Sequence, residues 1–332
     1  MNERIDVVTF GEAMLRLSPP SHLRLQQACT LDVHVGGSEL NVAVAASALG
    51  LRMRYVTRVP KNPIGRLVES KAREHGIDTR FFSWPESGRV GIYYLEFGAS
   101  PRPNSVVYDR AHSAMAMIEP GQIDWDEALD GASVFHTSGI TPALSKSATA
   151  ATLEAVRAAH RLGVRVSVDL NYRVRLWTEK DAEAAMREIV GLADVLVTTE
   201  EDTQRVFGIQ EASYDEVARV LAKEFDLDVV AITLRETPSV WRNTWSAIAY
   251  ERETEALHTA PTYDIEVVDR VGSGDSFAGG FLYGWLNGGV ETAVRYGVAI
   301  SAIKQTLPGD VCWTTREEVD RILEGGGLRI VR

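Results

Sequence analysis

The stretch Asp269-Arg-Val-Gly-Ser-Gly-Asp-Ser-Phe-Ala-Gly-Gly280 gathers small residues and one carboxylate at a single point of the chain. Downstream, Phe277, Phe281 and Trp285 recur at i, i+4 and i+8, so residues 274–286 read as an amphipathic helix. Upstream, Ile265, Val267 and Val268 read as strand. Gly272, Ser273 and Gly274 then form the strand-to-helix turn, where bare backbone N–H groups and the helix dipole favour an anion. Asp275 in that turn is a poor phosphate ligand but a suitable base for a hydroxyl about to attack a phosphate. The pairing suggests phosphoryl transfer; the competing reading is an Asp that serves only as a cap or first-turn charge. A dinucleotide fingerprint fails, because Phe277 stands where the third glycine belongs and the motif lies near the C-terminus. A P-loop fails because the chain has no Gly-Lys-Ser/Thr.

The elements that must position this turn are legible as alternation. Apolar, β-branched runs at 5–10, 53–59, 133–137, 165–170, 195–198 and 229–234 predict strands. Helical patterns occupy 38–49, 64–74, 145–162, 179–192, 214–224, 275–286 and 291–305. This alternation predicts an α/β fold, a mostly parallel central sheet with helices on both faces, and ligands at the carboxyl ends of its strands. Two stretches have no helical partner: 15–35, and 89–110 with its extended runs 90–97 and 105–108 around a Gly-Ala-Ser-Pro-Arg-Pro-Asn turn. They are expected to form a small β-sheet, from insertions at about 12–35 and 88–112, that serves as a lid and is compatible with a dimer-forming surface.

Composition narrows the partners. The 332 residues carry 35 Lys and Arg against 46 Asp and Glu, a net charge of −11, which argues against nucleic acid or an anionic membrane as partner. An anionic ligand must therefore be held by local Arg, Lys and N–H groups. Cys29 and Cys312 have no metal-type spacing and suit a reducing cytosol. The N-terminus lacks the apolar core of a signal peptide, and no run approaches the ~20 apolar residues of a membrane span. A cytoplasmic protein is expected. The histidines form no paired metal motif.

A second glycine pair, Val35-Gly-Gly-Ser-Glu-Leu-Asn-Val-Ala43, also opens a helix, with Ser38 as N-cap. Asn41 lies among Leu40, Val42, Ala43 and Val44, so its amide needs a partner if buried. Gly36-Gly37-x-x-x-Asn41 and Asp269-x-x-Gly272-x-Gly274-Asp275-x-Phe277-x-x-Gly280, correctly ordered with Gly37 and Gly272 235 positions apart, resemble the two signatures of the ribokinase-like (PfkB) family of sugar kinases. The resemblance covers nearly the whole chain. It implies one kinase domain over 1–332, a three-layer α/β/α sandwich with a β lid, and ATP with Mg²⁺. It also implies Asp275 as general base and the N–H groups of Gly272, Ser273 and Gly274 around the transferring phosphoryl. Gly37 and Asn41 are expected to hold substrate hydroxyls.

Further matches narrow the substrate. Asp169-Leu-Asn171-Tyr-Arg173 looks like the block found in kinases of ketoses and keto acids, and Arg173 is expected to meet both nucleotide phosphate and substrate. His136 in His136-Thr-Ser-Gly-Ile-Thr is expected to be structural. Gly91-Ile-Tyr93 and Val107-Tyr108-Asp-Arg110 are similar to the 2-keto-3-deoxygluconate kinases. There the corresponding Tyr, Tyr and Arg contact the keto acid, the Arg serving its carboxylate. Asp310 in the Pro-Gly-Asp turn is expected as another substrate contact. The chain departs from the family pattern in two places. Thr199-x-x-Asp202 replaces Asn-x-x-Glu, leaving Thr199 toward ATP and Asp202 as a water-mediated Mg²⁺ contact. Thr233-Leu-Arg235-Glu-Thr-Pro-Ser239 replaces a glycine-rich nucleotide loop, with Arg235 as a compensating phosphate cation, and Trp241-Arg-Asn-Thr-Trp245 beyond it has no assigned role. The expected activity is ATP-dependent phosphorylation of 2-keto-3-deoxygluconate at its terminal hydroxyl, by a homo-oligomer joined through the lid. The alternatives are a fructokinase or other ketose kinase, and a sugar-acid-binding regulator without catalysis.

Overall fold

The computed structural model describes residues 4–326. From the N-terminus, its elements are Val7–Phe10 (β1), Met14–Ser18 (β2), Asp32–Gly36 (β3), Ser38–Ala48 (α1), Met53–Val56 (β4) and Pro63–Glu74 (α2). Gly91–Glu96 (β5) and Ser105–Asp109 (β6) follow, then Trp125–Ala128 (α3), Val134–Ser138 (β7), Lys146–Arg161 (α4), Arg165–Asp169 (β8), Glu179–Val190 (α5) and Val195–Thr198 (β9). The remainder is Glu200–Phe207 (α6), Tyr214–Phe225 (α7), Val229–Ser239 (β10), Arg242–Glu251 (β11), Ala256–Thr259 (β12), Tyr263–Glu266 (β13), Ser273–Gln305 (α8) and Arg316–Leu323 (α9).

The large sheet runs β12-β11-β10-β9-β8-β7-β1-β4, with β13 also on β11. From β4 to β10 every pairing is parallel; β11, β12 and β13 add antiparallel pairs. Strands β1, β4, β7 and β9 are buried along their whole length, because helices cover both faces. This explains their unbroken apolar runs. Helix starts follow side-chain chemistry: Asn62, Ser145, Thr178, Thr199 and Thr315 each accept a backbone N–H two or three residues on.

The expected small sheet is present, in the order β3-β2-β5-β6, with β2 and β5 parallel and the other pairs antiparallel. Its register sets Tyr93 opposite Tyr108. Two differences from the sequence reading concern the nucleotide side. The strand expected at 229–234 continues to Ser239 and turns into β11, so residues 235–245 are the far end of a long hairpin. Arg235 pairs with Trp245 there, and Trp245 is buried in the apolar cluster with Ala247 and Ile265, which gives the unexplained aromatic a packing role. The helices expected at 275–286 and 291–305 form one element interrupted at Gly289, whose φ of 79° and ψ of −172° break the helix. Among the described residues no helix is long and apolar enough to cross a membrane.

Helix α1 is buried along residues 38–46 and packs against the first half of α8. Gly279 makes that contact possible. A Cβ there would lie 2.7 Å from the Val42 carbonyl oxygen and 2.8 Å from the Ala45 Cβ. Gly279→Ala must push the two helices apart, so it is expected to lower the unfolding free energy by about 1–3 kcal/mol. Urea titration measures this, and an unchanged midpoint would show that the helices do not meet as described.

Candidate active site

Two helix N-termini converge on Asp275. Its carboxylate accepts hydrogen bonds from the Ser38 hydroxyl and the Asn41 amide, both at 2.7 Å, from the first turn of α1. The sequence reading made Ser38 the N-cap of α1; the structure corrects this. Gly37 takes that position, because a Cβ there would lie 2.1 Å from the Glu12 carbonyl oxygen. The Ser38 hydroxyl is thereby free to reach Asp275, and it also accepts from the Asn171 amide at 3.1 Å. Asn41 is buried and spends its N–H₂ on Asp275, leaving its Oδ1 without a partner among the described residues. Burial pushes the Asp275 carboxyl above the usual carboxylate range; the Asn41 and Ser38 hydrogen bonds and the Arg173 charge oppose that rise.

The turn before Asp275 presents open donors. Gly272 has a φ of 81°, and a Cβ on it would lie 2.0 Å from the Asp310 carbonyl oxygen, so only glycine fits. The Ser273 amide donates to the Arg270 carbonyl at 3.2 Å, whereas those of Gly272 and Gly274 have no partner among the described residues. Free amides at the start of a long helix make an anion site.

Arg173 lies in the loop after β8, exposed, beyond the left-handed Asn171. Its charge acts on Asp169, Asp202 and Asp275 together. Burial raises the carboxyls of Asp169 and Asp202, so this corner is short of positive charge. Thr199 caps α6, accepting from the Asp202 amide at 3.1 Å. Among the described residues no group of three or more His, Cys, Asp or Glu is arranged to hold a metal ion. The under-neutralised Asp202, with Asp169 beside it, fits a hard cation that arrives on phosphate oxygens and keeps its water.

On the other side, the small sheet delivers the remaining residues. Tyr93 is buried with its hydroxyl on Asp310. Arg16 of β2, also buried, binds Asp269 at 2.7 Å and Asp310 at 3.2 Å. Arg110 follows β6 and grips Glu12 through Nε and Nη2, leaving Nη1 without a protein partner among the described residues. Tyr108 is half-exposed, its ring 5.7 Å from that of Tyr93 and 5.8 Å from the Arg110 guanidinium. Arg235 stands apart from these groups, exposed on the hairpin and close enough to help lower the pKa of Arg270, which burial already depresses. At the hairpin tip Trp241 meets His22 edge-on at 4.8 Å, and a cavity of about 820 Å³ opens between hairpin and small sheet beside Asp269. His136 is buried against Ser167, and burial lowers its pKa to about 3.

Several participants escaped the sequence reading: Glu12, Arg16, Glu39 and the contact role of Ser38, while Asp169 and Asn171 enter it only as part of the block that carries Arg173. A signal existed for some, since Glu39 interrupts an apolar helix and Arg16 alternates with leucines in a strand. Glu39 is buried, and its Oε1 accepts from the Ser138 amide, the Ser138 hydroxyl and the Thr141 hydroxyl at 3.0, 2.7 and 3.0 Å. Burial raises its pKa to about 7 from an ordinary 4.5. The native state therefore holds this proton more tightly than the unfolded chain. That stabilisation is complete below about pH 4.5 and is lost as pH rises through about 7. Glu39→Gln keeps the acceptor and removes the titration. The stability of the unmodified protein relative to this variant is expected to fall with rising pH across that window, by about 1.4 kcal/mol per pH unit at most. Unfolding at a series of pH values tests this, and a pH-independent difference would refute it.

Comparison with known proteins agrees with this geometry. The model of the pfkB family of carbohydrate kinases matches residues 4–315. A 2-dehydro-3-deoxygalactonokinase of Haloferax volcanii is 38% identical over 328 residues, covering 98% of this chain and 99% of the relative. The crystal structure of a 2-dehydro-3-deoxygluconokinase from Thermotoga maritima superposes with a TM-score of 0.94 at 41% identity, covering 97% of this chain and 99% of that one. A 5-dehydro-2-deoxygluconokinase of Bacillus subtilis is 28% identical over 328 residues, covering 96% of each chain. With both glycine turns, Asp275 and the two sheets in place, the chain belongs to the pfkB family of carbohydrate kinases.

Proposed function

We propose that this kinase transfers the γ-phosphoryl of ATP to the terminal hydroxyl of 2-keto-3-deoxygluconate, giving the 6-phosphate. The observation that carries the reading is Asp275 beside the open Gly272 and Gly274 amides, with the buried Asn41 Oδ1 waiting for a hydroxyl donor. The three relatives named above all carry names of kinases for keto-deoxy sugar acids. The substrate's terminal hydroxyl gives its proton to Asp275 as its oxygen bonds to the γ-phosphorus. The bond to the bridging oxygen breaks, and ADP leaves. The Gly272–Gly274 turn receives the equatorial oxygens, and Arg173 spans nucleotide and substrate. Mg²⁺ bound with ATP would supply neutralising charge on the phosphates, and Asp202 would hold it through water. Thr199 and Arg235 line the nucleotide's approach.

Arg110 reads the substrate carboxylate through its remaining Nη1 donor, with Tyr108 and Tyr93 beside it and Asp310 and Gly37 completing the sugar site. The small sheet acts as lid. Val33 and Val107 on it are 55% and 52% exposed, which supports an oligomer contact there between copies of a single-domain kinase. The two free cysteines suit a cytoplasmic setting.

Two experiments test the reading. Asp275→Asn keeps the shape and loses proton acceptance, so kcat is expected to fall about 10²–10⁴-fold with little change in either KM. Because burial raises the Asp275 pKa, kcat/KM of the unmodified enzyme should fall on the acid side at a pH above the ordinary carboxylate range. Near-normal turnover in the variant removes Asp275 as the base. The second experiment addresses the substrate. Arg110→Gln is expected to cost about 10–150-fold in kcat/KM with 2-keto-3-deoxygluconate and much less with fructose, from the loss of a charge-assisted hydrogen bond of about 1.5–3 kcal/mol. The orphaned Glu12 and any damage to the fold affect both substrates alike. Equal losses, or an unmodified enzyme that prefers fructose, would replace the keto acid with a neutral ketose.

A further inference from the structure

Lys304 lies in the last turn of α8 and is fully buried. Its ammonium makes no ion pair among the described residues. It donates instead to two backbone carbonyls, Asp269 at 3.0 Å and Leu307 at 3.2 Å. The first begins the turn that leads to Gly272, and the second begins the Pro-Gly-Asp turn that ends at Asp310. These two turns are fastened to each other. The Gly309 amide donates to the Asp269 carboxylate at 3.0 Å, and Gly272 packs against the Asp310 carbonyl oxygen. The Asp269 carboxylate also takes the Val271 amide at 3.0 Å and Arg16 at 2.7 Å.

We propose that Lys304 is a positioning residue for the phosphoryl-receiving turn, a built-in cation that fixes the backbone of Asp269 so that the Gly272 and Gly274 amides stay aimed at an anion. A buried ammonium is a costly way to satisfy two carbonyls. An apolar side chain of equal length would avoid the desolvation that accompanies a buried ammonium. The groups around the ammonium are Asp269, Asp310 and Arg16, with the Cys312 thiol, which burial pushes up to about 12 and which is therefore neutral. Arg16 and Lys304 together balance Asp269 and Asp310, so removing Lys304 leaves an excess negative charge next to a turn that must receive phosphate. Both carbonyls would also lose their donor in a place water does not reach. The sequence carries the signal as a lysine inside Ala-Ile-Ser-Ala-Ile-Lys304.

The inference rests on the phosphoryl-transfer reading above, and the test separates the two. Lys304→Met removes the charge and keeps the volume; Lys304→Ala removes both. For each, thermal unfolding, steady-state kinetics and calorimetric binding of β,γ-imido-ATP are measured. Lys304→Met should melt below the unmodified enzyme, because two buried carbonyls lose their donor, so its binding and kinetics are read at a temperature where it is folded. It should bind the analogue about tenfold more weakly and lose about 10–100-fold in kcat, with the sugar-acid KM changed by about twofold or less. In Lys304→Ala, added ammonium chloride should restore part of kcat, and tetramethylammonium chloride, too large for the vacated space, should not. Unchanged nucleotide affinity and kcat in Lys304→Met overturn the proposal. If that variant does not fold at all, the ammonium response of Lys304→Ala, read at a temperature where it is folded, decides, and no response overturns the proposal. If the unmodified enzyme phosphorylates neither keto acids nor ketoses, the function reading fails, and the analogue affinities alone decide the role of Lys304.

Discussion

A carboxylate in the first turn of α8 is held by side chains from the first turn of α1, which lie 234 and 237 positions away in the chain. Much else in the molecule serves that meeting. Gly37 lets α1 start directly against the Glu12 carbonyl, Gly279 lets the two helices approach, and Gly272 lets the turn lie on Asp310. Each is a place where a methyl group would collide with backbone, so the geometry of Asp275 is set by close approach of main chains more than by side-chain packing. The consequence is chemical. Asp275 arrives with fixed orientation and a raised pKa, while the free amides beside it need no rearrangement to receive charge.

The buried charges around Asp269 show how the small sheet is joined to that turn. Arg16 comes from the small sheet, Asp269 and Asp310 from the turns before and after α8, and Tyr93 closes the group from a neighbouring strand. Ions this deeply buried are costly to desolvate, and breaking one partner strands the others. A movement of the small sheet that carries Arg16 with it therefore acts on the backbone of the turn that begins α8. The small sheet and the turn before Asp275 are in this way joined through one buried charge cluster. Glu12 and Arg110 form a second, largely buried pair beside the small sheet, with the Arg110 Nη1 left without a protein partner among the described residues.

The sequence revealed most where chemistry and backbone conformation coincide. A carboxylate after Gly-Ser-Gly, and an amide inside an apolar helix start, had few explanations, and the structure brings Asp275 and Asn41 into contact. Alternating strands and helices were legible because strands buried on both faces are apolar throughout. The hairpin at 229–251 was not, since its far half is polar on one side and its pairing depends on a partner strand with no strong pattern of its own. Ser38 was misplaced by one position because capping propensity favours serine, whereas the approach of Gly37 to Glu12 decides the helix start. Arg16, Glu39 and Lys304 stand out in sequence only as charges in apolar surroundings, which does not name their partners. Their roles become readable when burial removes their solvent and forces a partner.

The account turns on where a substrate's terminal hydroxyl lies relative to Asp275. A crystal structure with 2-keto-3-deoxygluconate and a non-hydrolysable ATP analogue measures this directly. The account predicts the hydroxyl oxygen about 2.6–3.2 Å from the Asp275 carboxylate, the γ-phosphate on the Gly272 and Gly274 amides, and the substrate carboxylate at Arg110. A terminal hydroxyl turned away from Asp275, with the γ-phosphate held elsewhere, would contradict it.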